Sequence, residues 1–229
     1  MAVRERVTES RPVAHFERVI LRVYNVENEV VIRQDVHESL TIEGPADVLD
    51  RIETGVQGDE LHIRMGGGWA EQIKAALSTS LTRPHVTYTL TVKTLRGLDI
   101  AGLARVQVVG VKTDRLAVKF RGVGDFNIAG LTAERLDVDM PPGPCRLEAA
   151  GRVDEQHVSL SGMGEYNARR LESRTADLTL KGPGGHAVVR VADELNVAVN
   201  GPGRVEYYGN PRVNKRISPL AQVRHLGEG

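Results

Sequence analysis

A short glycine-containing corner recurs along this chain about every 20 residues, and no other feature limits its fold so tightly. Gly122–Val123–Gly124 is followed by Gly162–Met163–Gly164, Gly182–Pro183–Gly184 and Gly201–Pro202–Gly203. Pro142–Gly143–Pro144 stands between the first two, and Gly102–Leu103–Ala104 precedes them all. The first positions fall at 102, 122, 142, 162, 182 and 201, a step of 20 with a last step of 19. An alternating apolar pair leads into most corners, such as Val118/Phe120, Val138/Met140, Val158/Leu160 and Leu178/Leu180. A fixed period of this length marks a solenoid.

One coil shows why. Leu116, Val118 and Phe120 alternate with Ala117, Lys119 and Arg121, a strand with one buried face. The glycine pair then permits a sharp corner. Phe126 and Ile128 alternate in a second strand, Gly130 turns the chain again, and a polar stretch from Thr132 to Arg135 closes the coil. A single coil cannot bury its apolar face. Stacked coils can, about 4.8 Å apart, with equivalent residues in ladders. The expected inner ladders are Val118–Val138–Val158–Leu178–Val197 and Phe120–Met140–Leu160–Leu180–Val199.

Composition agrees with an all-β chain of narrow core. Only 4% of the 229 residues are aromatic, so Val, Leu and Ile must fill the interior. Thirty basic and thirty acidic residues cancel, which leaves no whole-chain field toward nucleic acid or an anionic membrane. Cys145 is alone, so no intramolecular disulfide or cysteine-based metal site can form. No apolar run approaches the roughly 18 residues of a spanning helix. Met1 to Arg11 is charged and has no apolar core of a secretory signal, so the chain as written is expected in the cytoplasm.

Met1 to Pro12 reads as a loose polar arm, and residues 13–226 as a single solenoid domain. Within it, 13–65 carries N-terminal strands: Phe16 to Ile32 with a bend at Asn25–Asn28, Ser39 to Glu43, Leu49 to Val56 and Leu61 to Met65. Residues 66–84 break the pattern. Gly66–Gly67–Gly68 reads as a hinge, and Trp69, Ile73 and Ala76 or Leu77 recur at helical spacing over 69–78. This is the one short helical insertion expected. Its Trp69 either packs over the solenoid or forms a partner-binding flap. Regular coils run over 86–220.

These segments resemble a known family. Phe16–Glu17–Arg18–Val19, the strand from Glu38 to Glu43, and Leu49 to Thr54 followed by Leu61–His62–Ile63 are similar to the N-terminal half of bacterial auto-transporter adhesin head domains of GIN type. The repeated corner units and the ending Val205–Glu206–Tyr207–Tyr208–Gly209–Asn210–Pro211 are similar to its C-terminal half. The match spans about Phe16 to Leu220. The resemblance implies a right-handed parallel β-solenoid, secreted or attached to the cell surface, with an adhesion role. It brings no catalytic residues.

Chemical motifs are sparse. Gly182–Pro183–Gly184–Gly185–His186–Ala187 fits a dinucleotide fingerprint, but strand-forming Val188, Val189 and Val191 follow where the fingerprint needs a helix. The seven histidines form no ligand cluster, and no cofactor or metal is implied. Stacking does predict an outward ladder Ala117–Asp137–His157–Asp177–Asn196. It is either a solvated charge ladder or a carbohydrate-binding or cation-binding surface. Phe126, Tyr166, His186 and Tyr207 recur near multiples of 20 and are expected on one ladder. Facing out, they would form a sugar- or peptide-binding aromatic stripe. Facing in, they are core, which the parity of Val106, Ile128 and Val188 favours. The coil after Pro142–Pro144 is expected to slip by one residue, turning Cys145, Leu147 and Ala149 inward.

Three functions fit this pattern. The first is a non-catalytic interaction or adhesion-like module with a protein or carbohydrate partner. The second is a polysaccharide-acting β-helix enzyme. The third is an intracellular scaffold that self-assembles, as a homo-oligomer or end to end.

Overall fold

The computed structural model describes residues 5–66 and 83–228. Trp69 and the helical reading of 69–78 lie outside the described residues. The strands, in chain order, are β1 (Arg6–Arg11), β2 (Arg18–Gln34), β3 (Ser39–Pro45), β4 (Ile52–Gln57), β5 (Glu60–Met65) and β6 (His85–Val92). They continue with β7 (Gly97–Val109), β8 (Lys112–Met140), β9 (Cys145–Ser161), β10 (Glu165–Lys181) and β11 (Gly185–Asn200). The last are β12 (Gly203–Tyr208), β13 (Arg212–Ile217) and β14 (Gln222–His225). One short helix, α1 (Ala46–Leu49), follows β3.

The long strands turn corners and stack in parallel, giving a β-solenoid of about six turns. In each coil the chain passes through three extended runs. In the β8–β9 stack they are 131–133, 135–140 and, beyond the corner, 145–149 on 124–128. The middle run forms a first face and the run beyond the corner forms a second face. Both expected inner ladders are present on the first face. Val138, Val158, Leu178 and Val197 are aligned, as are Met140, Leu160, Leu180 and Val199. All of them are buried. The ladders continue backward through Val118/Phe120 and Leu98/Ile100 to Val19/Leu21.

Close stacking dictates glycine at particular corners. A Cβ on Gly122 would lie 2.0 Å from the Gly102 carbonyl oxygen in the coil before it. Gly151 combines a similar approach, 2.0 Å from the Leu131 oxygen, with φ of +137°. No side chain fits either place.

The expected slip after Pro142–Pro144 occurs. Phe126 faces Leu147 and Ile128 faces Ala149, an offset of 21 rather than 20. Cys145, Leu147 and Ala149 are buried. The cause is the corner, which carries one residue more between the faces than Gly122–Gly124 does. A second long corner, Gly182 to Gly185, repeats the effect: Lys181 still faces Ser161, whereas His186 faces Glu165.

The N-terminal end differs from the expectation in two places. Residues 6–11 are not a loose arm. They form β1, an edge strand antiparallel to β3, with Arg6 paired to Glu43 at 3.0 Å. Strand β4 begins at Ile52 and not Leu49, because 46–49 make a helical turn. Pro45, at φ −61°, starts that turn and has no N–H to satisfy. Strand β3 pairs antiparallel with β6, and β4 pairs antiparallel with β5. Strands β6 and β5 then join separate halves of β2, so two antiparallel units close this end of the stack. Asn25, at φ +64°, makes the expected bend. Buried Asn28 braces it by donating to the carbonyls of Val23 (3.0 Å) and Leu103 (2.9 Å).

The C-terminal end is closed chemically. In the last coil Lys215 stands opposite Val197, in the register of the inner ladder, and is exposed. A charge at an inward position protects an edge from further strand addition. His225 takes the corresponding place on the second face, stacked on Tyr207 at 4.9 Å between ring centroids.

Candidate binding groove

Outward residues of the first face form parallel rows, one side chain per coil. One row runs Glu60, Arg18, Gly97, Ala117, then Asp137, His157, Asp177, Asn196 and Asn214. The next carries Asp99, Lys119, Asp139, Ser159 and Thr179. Gly97 and Ala117 supply almost no bulk, so the first row dips between Arg18 and Asp137. The result is a groove of about 510 Å³, floored by Leu98, Val118, Val138 and Val158. Its walls are carboxylates, an imidazole, an ammonium group and two hydroxyls.

The predicted register of Asp137, His157 and Asp177 holds, but the side chains pair differently. His157 Nδ1 lies 3.2 Å from Asp177, while its Nε2 faces Glu155 at 3.4 Å. Asp137 turns away from the imidazole. It accepts hydrogen bonds from Arg115 Nε (2.6 Å) and Arg135 Nε (2.9 Å). Asp177 also accepts from Asn196 Nδ2 at 2.8 Å, and Asn196 accepts from Asn214 at 2.9 Å. In the second row Lys119 holds Asp139 at 2.8 Å, and Arg22 and Arg121 share Asp99. Each of these carboxylates therefore has a partner within the protein. Exposed pairs of this kind contribute roughly 0–1 kcal/mol each, so they set geometry more than stability. Beside the groove, hydrogen bonding by Arg212, then by Asn196, holds the Glu194 carboxyl below its ordinary range.

Arg115, Arg135 and Glu155 were not singled out from sequence. The signal was present: 135 and 155 share the outward parity of 137 and 157, two residues earlier on the same strands. Among the described residues no three His, Cys, Asp or Glu side chains are placed to hold a metal ion.

The aromatic stripe does not exist as an exposed feature. Phe126 and Tyr166 are buried, and Phe126 meets Phe120 edge-on at 5.8 Å. Nor do the four residues share a ladder. The long corner at Gly182–Gly185 puts Ala187, not His186, in line with Tyr166. His186 points outward to Glu206 at 3.0 Å, and Tyr207 lies on the next inward row, opposite Val189.

Sequence reading also missed a buried polar chain. Gln156 occupies the inward row of Leu136 and Ala176 with no exposure. The Tyr166 hydroxyl donates to Gln156 Oε1 at 2.9 Å, Gln156 Nε2 donates to Ser173 Oγ at 2.7 Å, and Ser173 donates to the Arg190 carbonyl at 2.9 Å. A glutamine in an otherwise apolar 20-residue row was the available clue.

With this geometry in place, comparison with known proteins becomes informative. Residues 23–211 match the family described as "Putative auto-transporter adhesin, head GIN domain". The chain belongs to this family. No curated protein matches the sequence. Among solved structures, a "putative adhesin" from Bacteroides fragilis is similar, with TM-score 0.82, 20% identity and 98% of each chain covered. A "putative lipid binding protein" from Parabacteroides distasonis follows at TM-score 0.71, 18% identity and 96% of each chain. A "putative adhesin" from the same species gives 0.66, 16% identity and 97% of each chain. At these identities the likeness concerns the fold. Among the described residues no helix is long and apolar enough to cross a membrane.

Proposed function

We propose that this family member is a non-catalytic, adhesion-like module that acts at the cell surface and takes an extended carbohydrate chain in the first-face groove. The observation that carries the reading is the groove itself. It presents Asp137, His157 and Asp177 in one row and Ser159 and Thr179 in the next, with neighbours in a row about 4.8 Å apart across the sheet. Repeated donors and acceptors at that spacing suit the hydroxyls of a polymer. The family's description as an adhesin head supports binding as the role.

The enzymatic alternative finds less support. Glycoside hydrolysis uses two carboxyl groups flanking one bond, one of them protonated and free to donate. Here Asp99, Asp137, Asp139 and Asp177 are each engaged by a cation or an amide. End-to-end self-assembly is also disfavoured, because a copy stacked on the last coil would bury Lys215.

A glycan array probed with the intact chain, followed by calorimetry on any hit, tests the proposal. His157→Ala and Asp177→Ala are expected to weaken the hit by about tenfold each, the size of a lost charged hydrogen bond. Asp154→Ala, outside the groove, is expected to leave it unchanged. Turnover of a polysaccharide hit, or binding indifferent to both groove substitutions, would refute the assignment.

A further inference from the structure

The corner between the first and second faces carries an apolar ridge that the groove does not use. Tyr24, Val123, Met163 and Leu220 stand at this corner in separate coils and are 49%, 46%, 69% and 72% exposed. Exposed Pro142, Pro144, Pro183 and Pro202 occupy the coils between them. The elements are contiguous. Tyr24 Cδ1 lies 3.6 Å from the Cβ position of Gly102, Met163 Cγ lies 3.5 Å from that of Gly184, and Pro142 lies 3.5 Å from that of Gly162. Leu220 lines one shallow depression together with Pro202 and Gly184. Seven coil steps separate Tyr24 from Leu220, about 34 Å at the strand spacing.

Basic side chains border the ridge. Lys181 is exposed on the first-face side and Arg204 on the second-face side, near Met163 and Leu220; Arg105, farther along, stands opposite exposed Asp125 and is offset by it. Neither Lys181 nor Arg204 forms an ion pair among the described residues, in a chain whose total charge is zero. As the corner between two faces the ridge is convex, and the depression at Leu220 is shallow and open.

We propose that this corner docks on an anionic lipid surface, with Met163 and Leu220 entering the interface and Lys181 and Arg204 meeting headgroup charges. A fluid interface accepts a convex apolar edge without a matching groove, and flanking cations supply the electrostatic half of such binding.

Sedimentation with vesicles of phosphatidylcholine, with and without phosphatidylglycerol, tests this on the full chain. Binding is expected only with phosphatidylglycerol, and it should weaken as salt rises. Met163→Asp with Leu220→Asp should abolish it. Both positions are exposed, and circular dichroism checks that the coils persist. Lys181→Gln with Arg204→Gln should weaken it roughly thirtyfold at low salt, from the usual contribution of a basic residue near an anionic surface. No binding, equal binding to neutral vesicles, or binding untouched by either double variant overturns the proposal. So does an oligomer in light scattering that Met163→Asp disperses, since a second copy would then cover the ridge. The ridge and the groove share no residue. His157→Ala therefore leaves vesicle binding unchanged, and failure of one assignment is distinguishable from failure of the other.

Discussion

Two buried tyrosines should respond in opposite ways to loss of a hydroxyl. Tyr166 and Tyr88 are both fully buried, and burial pushes both phenols above the ordinary tyrosine value, so each stays neutral. They differ in partners. The Tyr166 hydroxyl donates to Gln156 Oε1 at 2.9 Å, whereas the Tyr88 hydroxyl is buried with no partner. Tyr166→Phe strands the Gln156 oxygen in the core. A buried acceptor left unpaired costs about 1–3 kcal/mol. In a chain of this length that lowers the melting temperature by about 2–12 °C. Tyr88→Phe removes a group already stripped of water and unpaired, so stability should be unchanged or rise by up to about 1 kcal/mol. Combining Tyr166→Phe with Gln156→Leu removes both ends of the lost bond and gives row 156 the side chain of Leu136. Ser173 keeps its bond to the Arg190 carbonyl. The double variant should therefore recover to within about 1 kcal/mol of the parent. Urea and thermal unfolding followed by circular dichroism give these three values and that of Gln156→Leu alone. Equal losses at the two tyrosines, or a double variant worse than the sum of its single changes, would refute the chain of bonds described.

Two further outcomes are expected. Gly151→Ala should destabilise by about 3 kcal/mol or more, since its Cβ would meet the Leu131 oxygen at 2.0 Å and its φ is +137°; Gly55→Ala, with nothing within 4 Å, should change stability by less than about 0.5 kcal/mol in the same denaturation series. Glu38 is held below its ordinary value of 4.5, first by its hydrogen bond with His15 at 2.7 Å and then by Lys93. A depressed folded value means that its contribution is present above about pH 4.5 and disappears as pH falls through the folded value. The parent should therefore melt above Glu38→Gln at neutral pH, and the two should converge in acid. A gap that widens on acidification would contradict the pairing.

The sequence by itself determined the architecture, because a solenoid's constraints are local and repeated. The alternation at Val158 and Leu160 sets which face is buried, the corner glycines set where the chain turns, and the period aligns equivalent residues. Even the slip at Pro142–Pro144 was legible, because an unbroken 20-residue register would turn the charged Arg146 and Glu148 inward. The tertiary structure decided what depends on small differences between coils. One extra residue at Gly182–Gly185 moved His186 out of line with Tyr166, since side chains alternate with period two and a single slip exchanges the faces. Long, exposed side chains chose partners across coils by reach and not by register. Asp137 went to Arg115 and Arg135, and His157 found Glu155 as well as Asp177. The N-terminal arm became β1 because an uncovered edge of β3 offered backbone partners that no local pattern in residues 6–11 announces. Period and alternation act on neighbours in the chain, while ion pairs and edge pairing act between segments that meet only once the coils have stacked.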